Sequence, residues 1–251
     1  MTEVILKTEH KFAIDAPDCT LHMESYEDSE NFAPKQLECE SGAGCDYNTD
    51  LPFIREIIER FPLEGDEKLN WLDLGCAGGH LMLDVNEQEE TDVCIGLDGS
   101  VGVHKQESWS SGKNSEVLRN ADIAKEYSIE YLNGEKVKFD IITCWEVLEH
   151  FYEEQLDQFF TNVYEHLSDE GVFVGSIAFF PDTRDENGYP EGHPKFNPNG
   201  KLYELHKLLW NRPTWDKLMS KWFNIINFDF DNRFRNGHPS IHYYFSATKK
   251  V

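Results

Sequence analysis

Basic residues are scarce in this chain of 251 residues: 23 Lys and Arg face 47 Asp and Glu, a formal charge of −24. Phosphate backbones are held by clustered Lys and Arg, so such a surface disfavours a lasting nucleic-acid partner. The plain reading of the excess acid is a solubilising surface, suited to a saline setting; recruitment of a basic partner is the other. No stretch approaches the ~20 apolar residues that a membrane span requires, and the opening MTEVILKTEHKF lacks the apolar core of a signal peptide. A soluble, cytoplasmic protein is expected. Compact cysteine pairs are missing too. The six cysteines (Cys19, Cys39, Cys45, Cys76, Cys94, Cys144) are scattered and read as reduced thiols, three of them where buried thiols are ordinary. A zinc site drawn from Cys19, His22, Cys39 and Cys45 would have no ligand pair of the usual spacing. No repeat or low-complexity tract is present, and this length suits one domain with an appendage.

What the chain does have is the stretch WLDLGCAGGH, Trp71 to His80. An apolar run carrying one acid leads straight into a turn of small residues, and a helix is expected from about His80. Glycines let the main chain bend sharply and approach a ligand closely, and the first turn of a helix offers backbone N–H groups to the same crevice. This is the nucleotide end of an open α/β sheet. A second apolar run, Val93 to Leu97, ends in Asp98, at about the distance where such folds place the acid that accepts ribose hydroxyls. Asp122 in NADI and a further strand, Phe139 to Cys144, follow in order.

This succession resembles the class I S-adenosylmethionine-dependent methyltransferases, whose first motif runs acid-x-Gly-x-Gly-x-Gly; here it is Asp73, Gly75, Ala77 and Gly79, with alanine at the central glycine. The resemblance covers about residues 50 to 250. It implies a Rossmann-like α/β fold: a seven-stranded, mostly parallel sheet, helices on both faces, and an antiparallel last strand. It implies S-adenosyl-L-methionine as cofactor, with Gly75, Ala77 and Gly79 along its amino-acid and ribose part. Asp98 would meet the ribose hydroxyls, Asp122 with Ile123 the adenine, and Asp73 the turn or the ammonium. Cys144, at the end of its strand, is counted with the cofactor contacts. For Asp122 a plain surface acid is the alternative.

Residues 1–48 read as an irregular, aromatic-bearing cap over the crevice, with a short strand at Val4 to Leu6, and residues 49–251 as the methyltransferase domain. Asp50 is placed to cap a helix from Leu51 to Phe61, with Phe53, Ile54, Ile57, Ile58 and Phe61 on one face. Helical periodicity returns over Glu153 to Leu167; Asp169 to Gly171 should break it, and Gly171 to Ile177 reads as a buried parallel strand. The third strand is faint, within Val117 to Ile123. Pro181 to Lys201 is dense in Pro, Gly and Asn and reads as a long functional loop. A helix over Pro213 to Lys221 and two aromatic-rich runs, Trp222 to Phe230 and Ile241 to Thr248, close the sheet as an antiparallel pair.

A second constellation lies in CWEVLEHF, Cys144 to Phe151. If helix begins near Trp145, then Glu146, Glu149 and His150 share one face. The E-x-x-E-H pattern resembles metal-assisted O-methyltransferases of the quinone-biosynthesis and small-RNA types, in which a later histidine completes the site; His206 and His193 are the candidates here. Glu146, Glu149, His150 and His206 would then hold a divalent ion such as Mg²⁺, Mn²⁺ or Zn²⁺. The alternative is the metal-free V-L-E-H arrangement, common in the superfamily, with His150 or His206 as general base because imidazole titrates near neutrality.

The resemblance implies O-methylation of a small or carbohydrate acceptor. A sugar hydroxyl on a surface-glycan precursor comes first and a quinone or other phenol second. RNA methylation is opposed by the charge. A cofactor-binding protein without turnover would not need every expected polar position, and a nicotinamide-dependent oxidoreductase would need a second catalytic domain.

Overall fold

The structure, a computed structural model, describes residues 2–11, 50–61, 63–77, 79–99, 116–178, 195–196, 203–204, 207–208, 210–226 and 242–250. Seven strands form one sheet: β2 (Leu69–Leu74), β3 (Thr91–Asp98), β4 (Leu118–Asn120), β6 (Phe139–Trp145), β7 (Leu167–Ala178), β10 (Phe223–Ile226) and β11 (His242–Lys249), in the order β10-β11-β7-β6-β2-β3-β4. β2 pairs in parallel with β3 and β6, β3 with β4, and β6 with β7, whereas β11 runs antiparallel to both β7 and β10. This is the fold expected from the sequence. From β2 the chain builds outward through β3 and β4 on one side and through β6 and β7 on the other. The order therefore reverses between β2 and β6, and the crevice at the strands' C-terminal ends opens there.

Both faces of the sheet are covered, which is why its central strands β2, β3 and β6 are buried at nearly every position. On one face lie α1 (Asp50–Ile58) and α2 (His80–Asn86), whose Phe53, Ile54, Ile57, Leu81 and Met82 pack with Trp71, Cys94, Ile141 and Val174. On the other lie α3 (Glu153–His166) and α4 (Arg212–Met219), whose Leu156, Phe159, Phe160, Val163 and Trp215 pack with Leu72, Leu74, Ile142 and Phe173. Neighbours such as Trp71 and Leu72 point to opposite faces, as a strand requires. Trp71 is fully enclosed and meets Phe53 edge-on with ring centroids 6.5 Å apart; truncating such a side chain costs roughly 3–5 kcal/mol. Cys76, Cys94 and Cys144 are buried, unbridged thiols, as expected; the other three lie outside the described residues. Among the described residues no helix is long and apolar enough to cross a membrane.

Some elements differ from expectation. α1 takes in Asp50 and stops at Ile58, where its last turn tightens: the N–H groups of Arg60 and Phe61 donate to the carbonyls of Ile57 and Ile58. Asp169 to Gly171 does not separate helix from strand. β7 begins at Leu167 directly after α3, and the extra residues are absorbed as a register shift against β6 between Phe139 and Ile141. The start of the chain is ordered as β1 (Val4–Lys7), antiparallel to β5 (Ser128–Tyr131), a strand that the sequence did not announce. Thr2 binds the carboxylate of Asp92 with its N–H and its hydroxyl, and the His10 carbonyl accepts the N–H of Asp122 at 2.8 Å. Residues 2–10 thus run along the domain and end beside the Asp122 turn; residues 12–48 of the expected cap lie outside the described residues. Of the Pro181 to Lys201 loop only β8 (Lys195–Phe196) is described, paired antiparallel with β9 (Tyr203–Glu204).

His166, the last residue of α3, ties that helix to β5. The N–H of Ile129 donates to its Nε2 at 3.2 Å, so Nδ1 carries the proton and donates to the Asn162 carbonyl at 2.8 Å; the ring stacks on Tyr127. Burial pulls this imidazole down to about 4. The unfolded chain accepts a proton here below about pH 6.5 and the folded protein does not. The stability that His166 contributes is therefore whole above about pH 6.5 and is lost as pH falls towards 4, by about 2 kcal/mol between about pH 7 and about pH 5. Urea unfolding of the protein and of His166→Gln should show that difference in the wild type and its absence in the variant.

Candidate active site

β2 carries its one acid, Asp73, two residues before its chain turns. The carboxylate is only 3% exposed, and its Oδ1 accepts the hydroxyl of Thr143 on β6 at 2.7 Å; the Thr143 oxygen in turn accepts the indole N–H of Trp71 at 3.1 Å. Gly75 then leaves the strand at φ 77°, and a Cβ there would stand 2.4 Å from Cγ2 of Val147. Only glycine fits both the left-handed backbone and the contact. Gly79, at φ 77°, begins α2 under Leu118, where a Cβ would also come within 2.4 Å.

Ala77, the alanine at the central glycine position, keeps a left-handed backbone at φ 48°, at a cost of about 1 kcal/mol for a residue with a Cβ. The compensation is visible: its N–H donates to Oδ2 of Asp98 at 2.9 Å. Asp98, the last residue of β3, is thus joined to the glycine turn, and its carbonyl accepts the Asn120 side chain at 2.9 Å and the Ala121 N–H at 3.2 Å. These bonds lock the ends of β3 and β4 together. Asp122 follows directly and is not a surface acid. It is buried, and its Oδ1 accepts the N–H of Ala124 at 3.0 Å, shaping the turn that also buries Ile123. Asp73, Asp98 and Asp122 thus stand at the C-terminal ends of adjacent strands. Cys76, inside the turn, has its thiol pushed well up by burial and then by the charges of Asp98 and Asp73, so two carboxylates flank the turn. A negative wall of this kind suits a ligand bearing positive charge.

Cys144, counted with the cofactor contacts, is instead fully enclosed. Strand alternation puts it beside Ile142 in the core under α3, and burial raises its thiol well above the ordinary value.

The segment after β6 departs furthest from expectation. Trp145 is still strand, and Glu146 takes a left-handed backbone, φ 54°. A 3₁₀ turn then covers Leu148–His150. No α-helix starts at Trp145, so Glu146, Glu149 and His150 do not share a helical face. Glu146 turns to β7 instead: its N–H donates to the Ser176 carbonyl at 3.0 Å, and its Oε1 accepts the Ser176 hydroxyl. Glu149 is fully buried, and its carbonyl accepts the N–H groups of Lys207 at 2.7 Å and Leu208 at 3.0 Å. Among the described residues no group of three His, Cys, Asp or Glu side chains could hold a metal ion. Glu146, Glu149 and His150 therefore do not fit a metal as a set; His206 and His193 lie outside the described residues. Lys207 and Leu208, which follow His206 in sequence, nonetheless dock on the 3₁₀ turn. Beyond them Trp210 packs on Trp215 with centroids 5.0 Å apart, and Arg212 lies 4.7 Å over the ring of Tyr243, whose hydroxyl bonds Asp216.

Thr143 and Ser176 were not singled out from the sequence. Their signal was position: each is a hydroxyl in the C-terminal half of a central strand, flanked there by apolar residues, and buried hydroxyls need partners.

Residues 47–241 match the methyltransferase domain family, and the chain belongs to it. Its sheet order is that of the class I S-adenosylmethionine-dependent methyltransferase fold. A TehB-like S-adenosylmethionine-dependent methyltransferase from Corynebacterium glutamicum shares the fold with a TM-score of 0.57 at 16% identity, over 90% of this chain and 100% of that one. An S-adenosylmethionine-dependent methyltransferase from Clostridium acetobutylicum does so with a TM-score of 0.55 at 18% identity, over 83% and 94% of the two chains. The sphingolipid C9-methyltransferase of Komagataella phaffii is 31% identical over 134 residues, which are 50% of this chain and 26% of that protein. The chain therefore spans about a quarter of the length of this curated relative.

Proposed function

We propose that this chain methylates a hydroxyl of a small acceptor, first a sugar hydroxyl of a glycan precursor and second a quinol or other phenol. The observation that carries the reading is the seat of Val147 on Gly75. It holds the Glu146–His150 segment directly against the glycine turn, so that a cofactor side and an acceptor side face one crevice.

On the cofactor side, the main chain at Gly75, Ala77 and Gly79 lies along the amino-acid and ribose part. Asp98 accepts from the ribose hydroxyls, Asp122 and Ile123 meet the adenine, and Asp73 takes the ammonium. S-adenosylmethionine supplies, when bound, an electrophilic methyl group on a sulfonium sulfur. On the acceptor side, Glu146 fixes the acceptor, and His150 or His206 takes the proton of the attacking hydroxyl. Holding the hydroxyl in line contributes as much as the proton transfer. The segments 1–48 and 181–201 complete the acceptor pocket, and deletion of residues 12–40, which leaves β1 and the His10 carbonyl at Asp122 in place, should abolish turnover while sparing cofactor binding.

The experiment is transfer of isotope-labelled methyl from S-adenosylmethionine by the purified protein to a panel of sugar nucleotides and oligosaccharides, quinols, and the sphingolipid class named for the yeast relative. Label appearing in a sugar as an O-methyl ether supports the first reading, and label in a phenol the second. Label on a lipid carbon would replace both.

A further inference from the structure

We infer that Thr143 is a positioning residue for cofactor binding: its hydroxyl, backed by the indole of Trp71, holds the Asp73 carboxylate in the orientation that receives the cofactor's ammonium. The inference rests on the reading of Asp73 given above and adds the two residues that act through it. Three observations carry it. First, Asp73 is a carboxylate only 3% exposed on a strand whose other residues are almost all buried and apolar. Burying a charge in that setting is costly unless hydrogen bonds satisfy it. Second, the direction of the bonds is determined. A threonine hydroxyl has one proton, and Thr143 Oγ1 lies 2.7 Å from Asp73 Oδ1 but 3.4 Å from the Leu72 carbonyl, so the proton goes to the carboxylate. The same oxygen accepts from Trp71 Nε1 at 3.1 Å. The relay runs from indole to hydroxyl to carboxylate, and each bond polarises the next towards the charge. Third, every member is fixed in place. Trp71 and Thr143 are fully buried on β2 and β6, which pair in register as Trp71 with Ile141 and Asp73 with Thr143, and a β-branched side chain has little rotamer freedom. The hydroxyl is thus held opposite the carboxylate by the sheet itself, at the point where the strand order reverses.

A purely structural hydroxyl would affect all ligands of the crevice alike, whereas a positioning one should matter only to a ligand that carries the ammonium. Titration calorimetry on the full chain should compare S-adenosylhomocysteine with 5′-methylthioadenosine, which keeps the nucleoside and the thioether but has no amino-acid group. Thr143→Val, which preserves shape and removes the hydroxyl, should weaken S-adenosylhomocysteine about tenfold, the size of a hydrogen bond to a charged group. Methylthioadenosine should be unaffected, and Thr143→Ser should restore the lost affinity. Should the valine variant fail to fold, Thr143→Ala gives the same comparison. Equal loss for both ligands, or no loss for either, overturns the inference. Asp73→Asn separates the two levels. If it leaves S-adenosylhomocysteine binding intact, the reading of Asp73 fails; if it weakens binding while Thr143→Val does not, the positioning role alone fails.

Discussion

Asp98→Ala should lower the affinity for S-adenosylhomocysteine about a hundredfold and leave the melting temperature within a few degrees of the wild type. Two losses combine. On the proposed function the variant removes a charged acceptor for the ribose hydroxyls, and charge-assisted hydrogen bonds contribute about 1.5–3 kcal/mol each. It also removes the acceptor for the Ala77 N–H, which holds a residue with a Cβ at φ 48° and so keeps the glycine turn in its shape. Asp98→Asn discriminates between these contributions. Its amide oxygen can still accept from Ala77, so the turn stays formed and only the charge is lost; an affinity about tenfold below the wild type is expected. The carbonyl of Asp98, which anchors Asn120 and Ala121, is untouched by either change, so the fold should survive both. Unchanged affinity in Asp98→Ala, measured by titration calorimetry, would place the ribose elsewhere in the crevice and remove β3 from the site.

The glycine turn and its flanking acids were legible in the sequence because their determinants are local. An apolar run, an acid and a small-residue turn within ten positions specify strand, bend and helix start, and Asp98 needs only the end of the next apolar run. The segment after β6 depends on pairings between distant segments. Glu146 was placed on a helix because E-x-x-E-H has helical spacing, but its neighbour across the sheet is Ser176, paired with Trp145 only after the register shift that β7 introduces around Gly171. A left-handed residue cannot be inferred from glutamate, which seldom adopts that conformation. β5 has no local signal for a similar reason: Ser128–Tyr131 is short and half polar, and its partner β1 lies far away in sequence. His166 ends an amphipathic helix, and only the distant β5 supplies the backbone N–H that its ring accepts.

Glu146→Gln should reduce methyl transfer about a hundredfold through loss of acceptor positioning while changing S-adenosylhomocysteine affinity less than twofold, and EDTA should leave the wild-type rate unaltered. The amide keeps an oxygen for the Ser176 hydroxyl and the backbone N–H for the Ser176 carbonyl, so the side chain should remain where it is and lose only its charge. The expectation follows from the cost of the arrangement. A non-glycine residue at φ 54° gives up about 1–2 kcal/mol, and such strain persists where the surrounding structure holds a side chain for a purpose. Here two bonds to Ser176 hold it, beside the Val147 that rests on Gly75. The chelator result follows from the same geometry, because Glu146 is engaged with β7, Glu149 is fully buried, and the two do not gather with His150 around a common centre. A wild-type rate in Glu146→Gln would remove this residue from the acceptor side. Reversible loss of activity in EDTA, restored by Mg²⁺, Mn²⁺ or Zn²⁺, would mean that the 3₁₀ turn rearranges to gather those ligands and that a metal activates the acceptor hydroxyl in place of a bare imidazole.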